Sequence, residues 1–182
     1  FRAGVNAYIE AHAYGNATAE DFWNAVTRAS GKPVDQVLAA FVSRPGVPLL
    51  TVTGDCSTGA AAGLRLSQER FFLQQPRGSA LRGQWQIPIC EGPGAGGACT
   101  LLTAPSVPRA CPTGDLLFLN GGAKGYFRTS YPPSMLRSLA GAIDRLTAPE
   151  RLSLAADEWA LVRAGLHTAG DYLSLVAGYS RA

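Results

Sequence analysis

The apolar period changes twice along this chain of 182 residues, and that change limits the folds open to it. Residues 1–46 repeat at helical spacing, residues 47–131 alternate as strands do, and residues 132–182 return to helical spacing. The order is therefore helices, then a sheet, then helices.

In the first segment Val5, Tyr8, Ile9 and His12 fall at i, i+3, i+4 and i+7, one apolar stripe. Thr18 and Asp21 have the spacing of a capping box, and the helix behind them turns Phe22, Trp23, Val26 and Ala29 inward. Gly31 suits a left-handed helix end. Pro33 can open a third helix with Val34, Val37, Leu38 and Phe41 on its buried face.

The middle segment predicts strands over Pro48–Thr53, Leu64–Leu73, Gln84–Cys90, Cys99–Thr103, Leu116–Asn120 and Gly125–Tyr131. Leu64-Arg65-Leu66-Ser67 alternates cleanly, so one face is buried. Leu116-Leu117-Phe118-Leu119 is apolar throughout, as a strand covered on both faces would be. The glycine-rich Glu91–Ala98 and Asn120–Gly125 read as tight connections, and Pro105-Ser106-Val107-Pro108 as a turn. A small antiparallel sandwich follows, with Leu66, Trp85, Leu117 and Phe127 in its core.

In the last segment Met135, Leu136, Leu139 and Ile143 form a helical stripe. Thr147-Ala148-Pro149-Glu150 is a capping box with proline in the first turn. Behind it Leu152, Ala155, Trp159 and Val162 make a seam, and Trp23, Trp85 and Trp159 all read as inward-facing. The fold class is therefore α+β and multi-segment: a central antiparallel β-sandwich flanked by α-helical segments at both ends.

The chemistry available is narrow. Formal net charge is +3 with Arg outnumbering Lys 14 to 2, a scattered excess that fits a GC-rich coding genome better than a nucleic-acid surface. No apolar run reaches the roughly 18 residues of a transmembrane helix. The two histidines, His12 and His167, lie outside any H-E-x-x-H, so two ligands one helical turn apart are not available to a metal. His12 reads as a packed histidine on an apolar helix face, and His167 as a partner of helix-terminal carbonyls. Asp157 and Glu158 are adjacent, about 100° apart on a helix, and cannot flank one glycosidic bond; an arginine on a neighbouring helix could pair with either. The glycine loops precede strands rather than helices and offer no phosphate cradle. No serine sits in G-x-S-x-G. Gln68-Glu69-Arg70-Phe71-Phe72 holds too little positive charge for a stacking platform. Catalytic and metal-ligating residues are expected to be absent from this segment.

Cys56, Cys90, Cys99 and Cys111 fall within 56 residues and include no C-x-x-C, which argues against a zinc knuckle. They read either as a disulfide in an exported or periplasmic protein or as reduced thiols. Under the first reading the bridge joins Cys99 with Cys90 or with Cys111, each pair flanking a short connection. Cys56 is then the unpaired thiol unless it meets the third cysteine across the sheet. The single methionine is Met135, and helix-like patterns run into both ends, so a piece of a longer protein is expected.

Several stretches carry a family resemblance. Gly4-x-x-x-Tyr8, then His12-Ala13-Tyr14-Gly15-Asn16-Ala17-Thr18-x-x-Asp21-Phe22-Trp23, resembles the zinc aminopeptidases of the aminopeptidase N family, which carry a similar H-x-Y-x-N-A-T-x-x-D-L-W run after their metal site. Arg44-Pro45-Gly46-Val47-Pro48, Leu66-x-Gln68-x-Arg70-Phe71, Trp85-x-Ile87-Pro88, Gly125-Tyr126-Phe127-Arg128-Thr129-Ser130-Tyr131 and Pro149-Glu150-Arg151 through Gly165 resemble later stretches of that family, in its order. Arg44 stands where the family usually has glutamine, Thr129-Ser130 where it has Val-Asn, and the Cys90–Cys111 region matches nothing in it.

The resemblance implies three parts: residues 1–46 as the helical end of a thermolysin-like catalytic domain, 47–131 as a β-sandwich domain, and 132–182 as the start of a C-terminal helical domain. It implies zinc and peptide substrates for the parent protein. The H-E-x-x-H helix, its glutamate ligand, the G-A-M-E-N loop and the catalytic tyrosine match no residue here. No cofactor is expected in the segment, whose partners would be the remaining domains of the parent chain. A stand-alone β-sandwich module binding protein or carbohydrate is the alternative.

Overall fold

The computed structural model describes residues 1–54, 56, 63–74, 83–94, 99–111 and 116–181. It divides the chain into two compact units, Phe1–Pro45 and Gly46–Ala182.

The first unit holds α1 (Arg2–Ala11), α2 (Ala19–Ser30) and α3 (Val34–Val42). Helices α1 and α2 meet at Gly4, where a Cβ would stand 2.8 Å from Val26 Cα. Any side chain there would force the helices apart, so a glycine sets their spacing. The capping box forms: Asp21 N–H donates to Thr18 Oγ1 (3.2 Å), and the Thr18 N–H and hydroxyl donate to Asp21 Oδ2 (2.9 Å each). These bonds hold the Asp21 carboxyl below the usual range. Helix α2 ends at Gly31 with φ 65°. Asp35 N–H donates to Thr27 Oγ1 (2.9 Å), and the Thr27 hydroxyl donates to Asp35 Oδ1 (3.0 Å), pinning α3 to α2. The expected stripes are buried less deeply than their period implies. Ile9 is exposed, and Val34, Val37, Leu38 and Phe41 are half-buried.

The second unit holds two sheets and three helices. Strands β1 (Pro48–Thr53), β2 (Leu64–Arg70), β5 (Ser106–Arg109) and β6 (Arg128–Ser130) make a four-stranded sheet in the order β5-β2-β1-β6. Strands β3 (Ile87–Cys90) and β4 (Cys99–Leu102) pair as a separate hairpin. Helices α4 (Pro133–Gly141), α5 (Ala148–Arg163) and α6 (Ala169–Gly178) follow. The fold is mixed α/β, with six helices and two small sheets among the described residues.

Three strand expectations are corrected. The sheet is not wholly antiparallel, because β6 runs parallel to β1 with Leu49 opposite Arg128 and Thr51 opposite Ser130. Residues 116–119 form no ladder. They are buried as expected, yet their polar groups are met singly: Leu119 N–H donates to Tyr131 Oη (2.9 Å), and Phe118 C=O accepts from Gly92 N–H (2.8 Å). An apolar run can thus be core without pairing. Ser106–Arg109, expected as a turn, is instead the edge strand β5, antiparallel to β2. Its edge position tolerates Pro108, which has no N–H to give.

Burial in β2 alternates through Leu64, Leu66 and Gln68. The third core position is polar and fully used. Gln68 Oε1 accepts from Trp85 N–H (2.8 Å), while Nε2 donates to Trp85 C=O (3.1 Å) and Ala104 C=O (2.9 Å). This amide links β2 to the chain entering β3. Arg109 and Glu91 form a second link, from β5 to the end of β3. Gly46, at φ +102°, lets Arg70 lie across the entry to β1, because a Cβ there would be 2.5 Å from Arg70 Nε. Phe71 N–H then donates to Val47 C=O (2.8 Å).

Candidate functional site

Helix α5 assembles the polar centre of the second unit. Its buried positions are Glu150, Leu154, Asp157, Glu158, Ala160 and Leu161. The expected apolar seam is corrected: Leu152 and Trp159 point to solvent, and the face carrying the carboxylates points inward. Buried charges must be paired and hydrogen-bonded, and each of these has partners.

Glu150 sits in the first turn. Its Oε2 accepts from the N–H and the hydroxyl of Thr147 (2.8 Å each). Its Oε1 accepts from Gly122 N–H (2.6 Å) and Gly94 N–H (2.7 Å). Burial works to raise its pKa, but the donors at Gly122, Thr147 and Gly94 outweigh it, and the carboxyl lies below its ordinary value. One side chain therefore caps α5 and clamps two glycine turns. Of the first turn, Glu91–Ala98, residues 95–98 lie outside the described residues; the second, expected as a tight β-turn between strands, holds a short 3-10 helix over Gly121–Ala123 instead.

Asp157 faces β6. Its Oδ2 accepts from Thr129 N–H (3.0 Å) and its Oδ1 from Arg128 Nη1 (3.1 Å). Arg128 is on a strand, not on the neighbouring helix that sequence spacing suggested. Its guanidinium also lies over the Phe71 ring, 5.1 Å from the centroid. Burial pushes Asp157 up to about 7, against Thr129 N–H and Arg128 and with help from Glu158.

Glu158 holds His167 Nδ1 at 2.9 and 3.0 Å from its two oxygens, and His167 Nε2 meets Ser130 Oγ at 2.8 Å. The side chain of His167 therefore ties β6 to α5 rather than capping helix carbonyls. The order serine, imidazole, carboxylate is that of an acyl-transfer relay. Such a relay also needs N–H donors aimed at an oxyanion, and the N–H of the neighbouring Thr129 is already spent on Asp157. The role these contacts support is structural: three residues lock a short edge strand onto a helix.

His12 is half-buried, its ring 5.3 Å from that of Tyr8. It lines a cleft of about 270 Å³ with Tyr8, Asp21, Ala25 and Arg28, in which the only carboxylate is committed to Thr18. Of the tryptophans, Trp85 is buried, Trp23 is half-buried, and Trp159 is exposed with its ring against Tyr172 at 5.1 Å. Cys90 and Cys99 are bonded, and Cys56, read as the likelier unpaired thiol, is bonded to Cys111. Among the described residues no three His, Cys, Asp or Glu side chains converge as a metal site, and no helix is long and apolar enough to cross a membrane.

The motifs that are far apart in sequence meet in this unit: Gly46 with Arg70, Gln68 with Trp85, Phe71 with Arg128, and Arg128 with Asp157. Comparison with known proteins gives this convergence its context. A family model described as the ERAP1-like C-terminal domain matches residues 116–182. "Tricorn protease-interacting factor F2" of Thermoplasma acidophilum is 30% identical over 98% of this chain and 21% of its own length. "Aminopeptidase A" of Gloydius brevicauda is 28% identical over 96% of this chain and 19% of its own. "Aminopeptidase N" of Lactococcus lactis subsp. lactis is 26% identical over 99% and 21%.

Over nearly its whole length the chain is similar to the aminopeptidases of the aminopeptidase N family. It spans about a fifth of the length of the curated relatives it matches. Among the described residues nothing fits the zinc of those aminopeptidases: both His167 nitrogens are taken, His12 has one carboxylate nearby that is already bonded, and the cysteines are in disulfides. No chemical step through zinc is assigned to this chain.

Proposed function

We propose that this chain is the non-catalytic portion of a zinc metalloaminopeptidase that removes N-terminal residues from peptides. It acts there as a scaffold between the catalytic domain and the C-terminal helical domain. The observation that carries the reading is collinearity: nearly all of the chain aligns with aminopeptidases whose total length is about five times greater. In this reading residues 1–46 end the catalytic domain, 47–131 form a β-sandwich domain and 132–182 begin the helical domain. The Gln68–Trp85 and Arg109–Glu91 links support treating the two sheets as facing layers of that sandwich. The α5 carboxylates, bonded to β6 and to the glycine turns, support a stiff joint between sandwich and helices. Two disulfides support an oxidising compartment for the parent.

The reading frame upstream of Phe1 is the test. A frame encoding H-E-x-x-H and a downstream glutamate on a helix supports the scaffold role. A frame that lacks them overturns it and leaves a stand-alone β-sandwich binding module.

A further inference from the structure

The Cys90–Cys99 disulfide joins directly facing residues at the end of the β3–β4 pair where the two strands are connected. Cys99 is exposed, whereas Cys56 and Cys111, the members of the other disulfide, are half-buried. The chain leaving Cys90 packs closely. Cys90 bridges to Asn120, Gly92 N–H donates to Phe118 C=O (2.8 Å), and Gly94 N–H donates to Glu150 (2.7 Å). A Cβ on Gly121 would stand 2.6 Å from Gly92 C=O, so the two backbones touch. One disulfide with an exposed member thus closes a segment that reaches the first turn of α5.

We propose that Cys90–Cys99 is a thiol–disulfide exchange site for a dithiol reductant, and that its redox state governs whether residues 91–94 stay clamped on the N-terminus of α5. Access decides which sulfur is attacked. A thiolate of the reductant attacks Sγ of Cys99; a new S–S bond forms, the Cys90–Cys99 bond breaks, and Cys90 leaves as a thiolate that takes a proton from water. The second thiol of the reductant then attacks the mixed disulfide and releases Cys99. Two electrons pass to the protein, which gains two thiols, and the reductant becomes a disulfide. Without the disulfide, Gly92 and Gly94 keep only single hydrogen bonds to Phe118 and Glu150, and Glu91 keeps its ion pair with Arg109.

The test is limited reduction of the chain with dithiothreitol, timed alkylation and peptide mapping, with amide hydrogen exchange on the same samples. Cys90 and Cys99 are expected to be alkylated on the order of tenfold faster than Cys56 and Cys111, because only the first pair presents an exposed residue. Amide protection at Gly92 and Gly94 is expected to fall on reduction while the β1–β2 ladder keeps its own. A Cys90→Ser, Cys99→Ser double variant, with Cys56–Cys111 intact, should show the same loss without reductant. Equal or inverted alkylation rates overturn the exchange site. Unchanged protection at Gly92 and Gly94 in both the reduced protein and the double variant overturns the clamp.

Discussion

Asp157 concentrates the electrostatics of the molecule in one carboxyl group. Its folded pKa is raised to about 7 from an ordinary 3.8, so the folded state holds the proton more tightly than the unfolded state does. The stability this contributes is full below the unfolded value and is lost as pH rises from about 4 to about 7. Denaturant unfolding of wild type and Asp157→Asn should show it. The wild type is expected to lose on the order of 2–4 kcal/mol relative to the variant across that window. Parallel stability curves for the two proteins would contradict the shift. Glu150 has the opposite sign. Its pKa is lowered, so its contribution is present above the unfolded value and disappears as pH falls through the folded one.

His167 gives a second prediction at this scale. Replacing it with Ala leaves Glu158 buried without its partner, at a cost of about 3–5 kcal/mol. Ser130→Ala removes only the outer hydrogen bond and should cost about 1 kcal/mol. Thermal unfolding of both variants checks the order, and a larger loss for Ser130→Ala would contradict it. The adjacency of Asp157 and Glu158 was visible in the sequence, but their burial was not. Hydropathy ranks such residues as surface, and the donors that satisfy them sit on β6 and after α5, out of reach of any local pattern. Leu154 and Leu161, one heptad apart on the same face as the two acids, were the available signal.

Among the elements, helix caps were the most legible part. Thr18 with Asp21, Thr147 with Glu150 and the Gly31 end depend on residues within one turn, so sequence spacing specifies them. Strand β5 was hidden because Pro105 and Pro108 imitate a turn, and only its edge position makes Pro108 harmless. Residues 116–119 misled in the other direction, because a run of four apolar residues specifies burial and not pairing. Gln68 was legible only as part of a motif; its role requires knowing that Trp85 lies beside it. Gln68→Leu should therefore cost about 2–3 kcal/mol by leaving the Trp85 N–H and C=O buried without partners. Equilibrium unfolding with urea reads this out, and a neutral or stabilising result would show that β2 does not depend on the amide. Gly4→Val tests the first unit separately. The Val26 backbone blocks the added carbons, so helical circular dichroism and melting temperature should both fall.

For the whole molecule, the order of helical, stranded and helical segments and the resemblance to the aminopeptidases could be read from collinear motifs, several of which meet one another within the second unit. The parallel β1–β6 pair could not be read, and the pairing of Cys56 with Cys111 stood only as the alternative to a free Cys56, since both depend on long-range topology. The measurement that bears most directly on the scaffold reading is zinc content and chelator-sensitive aminoacyl hydrolysis, compared between this chain and a longer product of the same gene. The account predicts zinc and turnover in the longer product alone. Stoichiometric zinc with chelator-sensitive turnover in the 182-residue chain itself would contradict it.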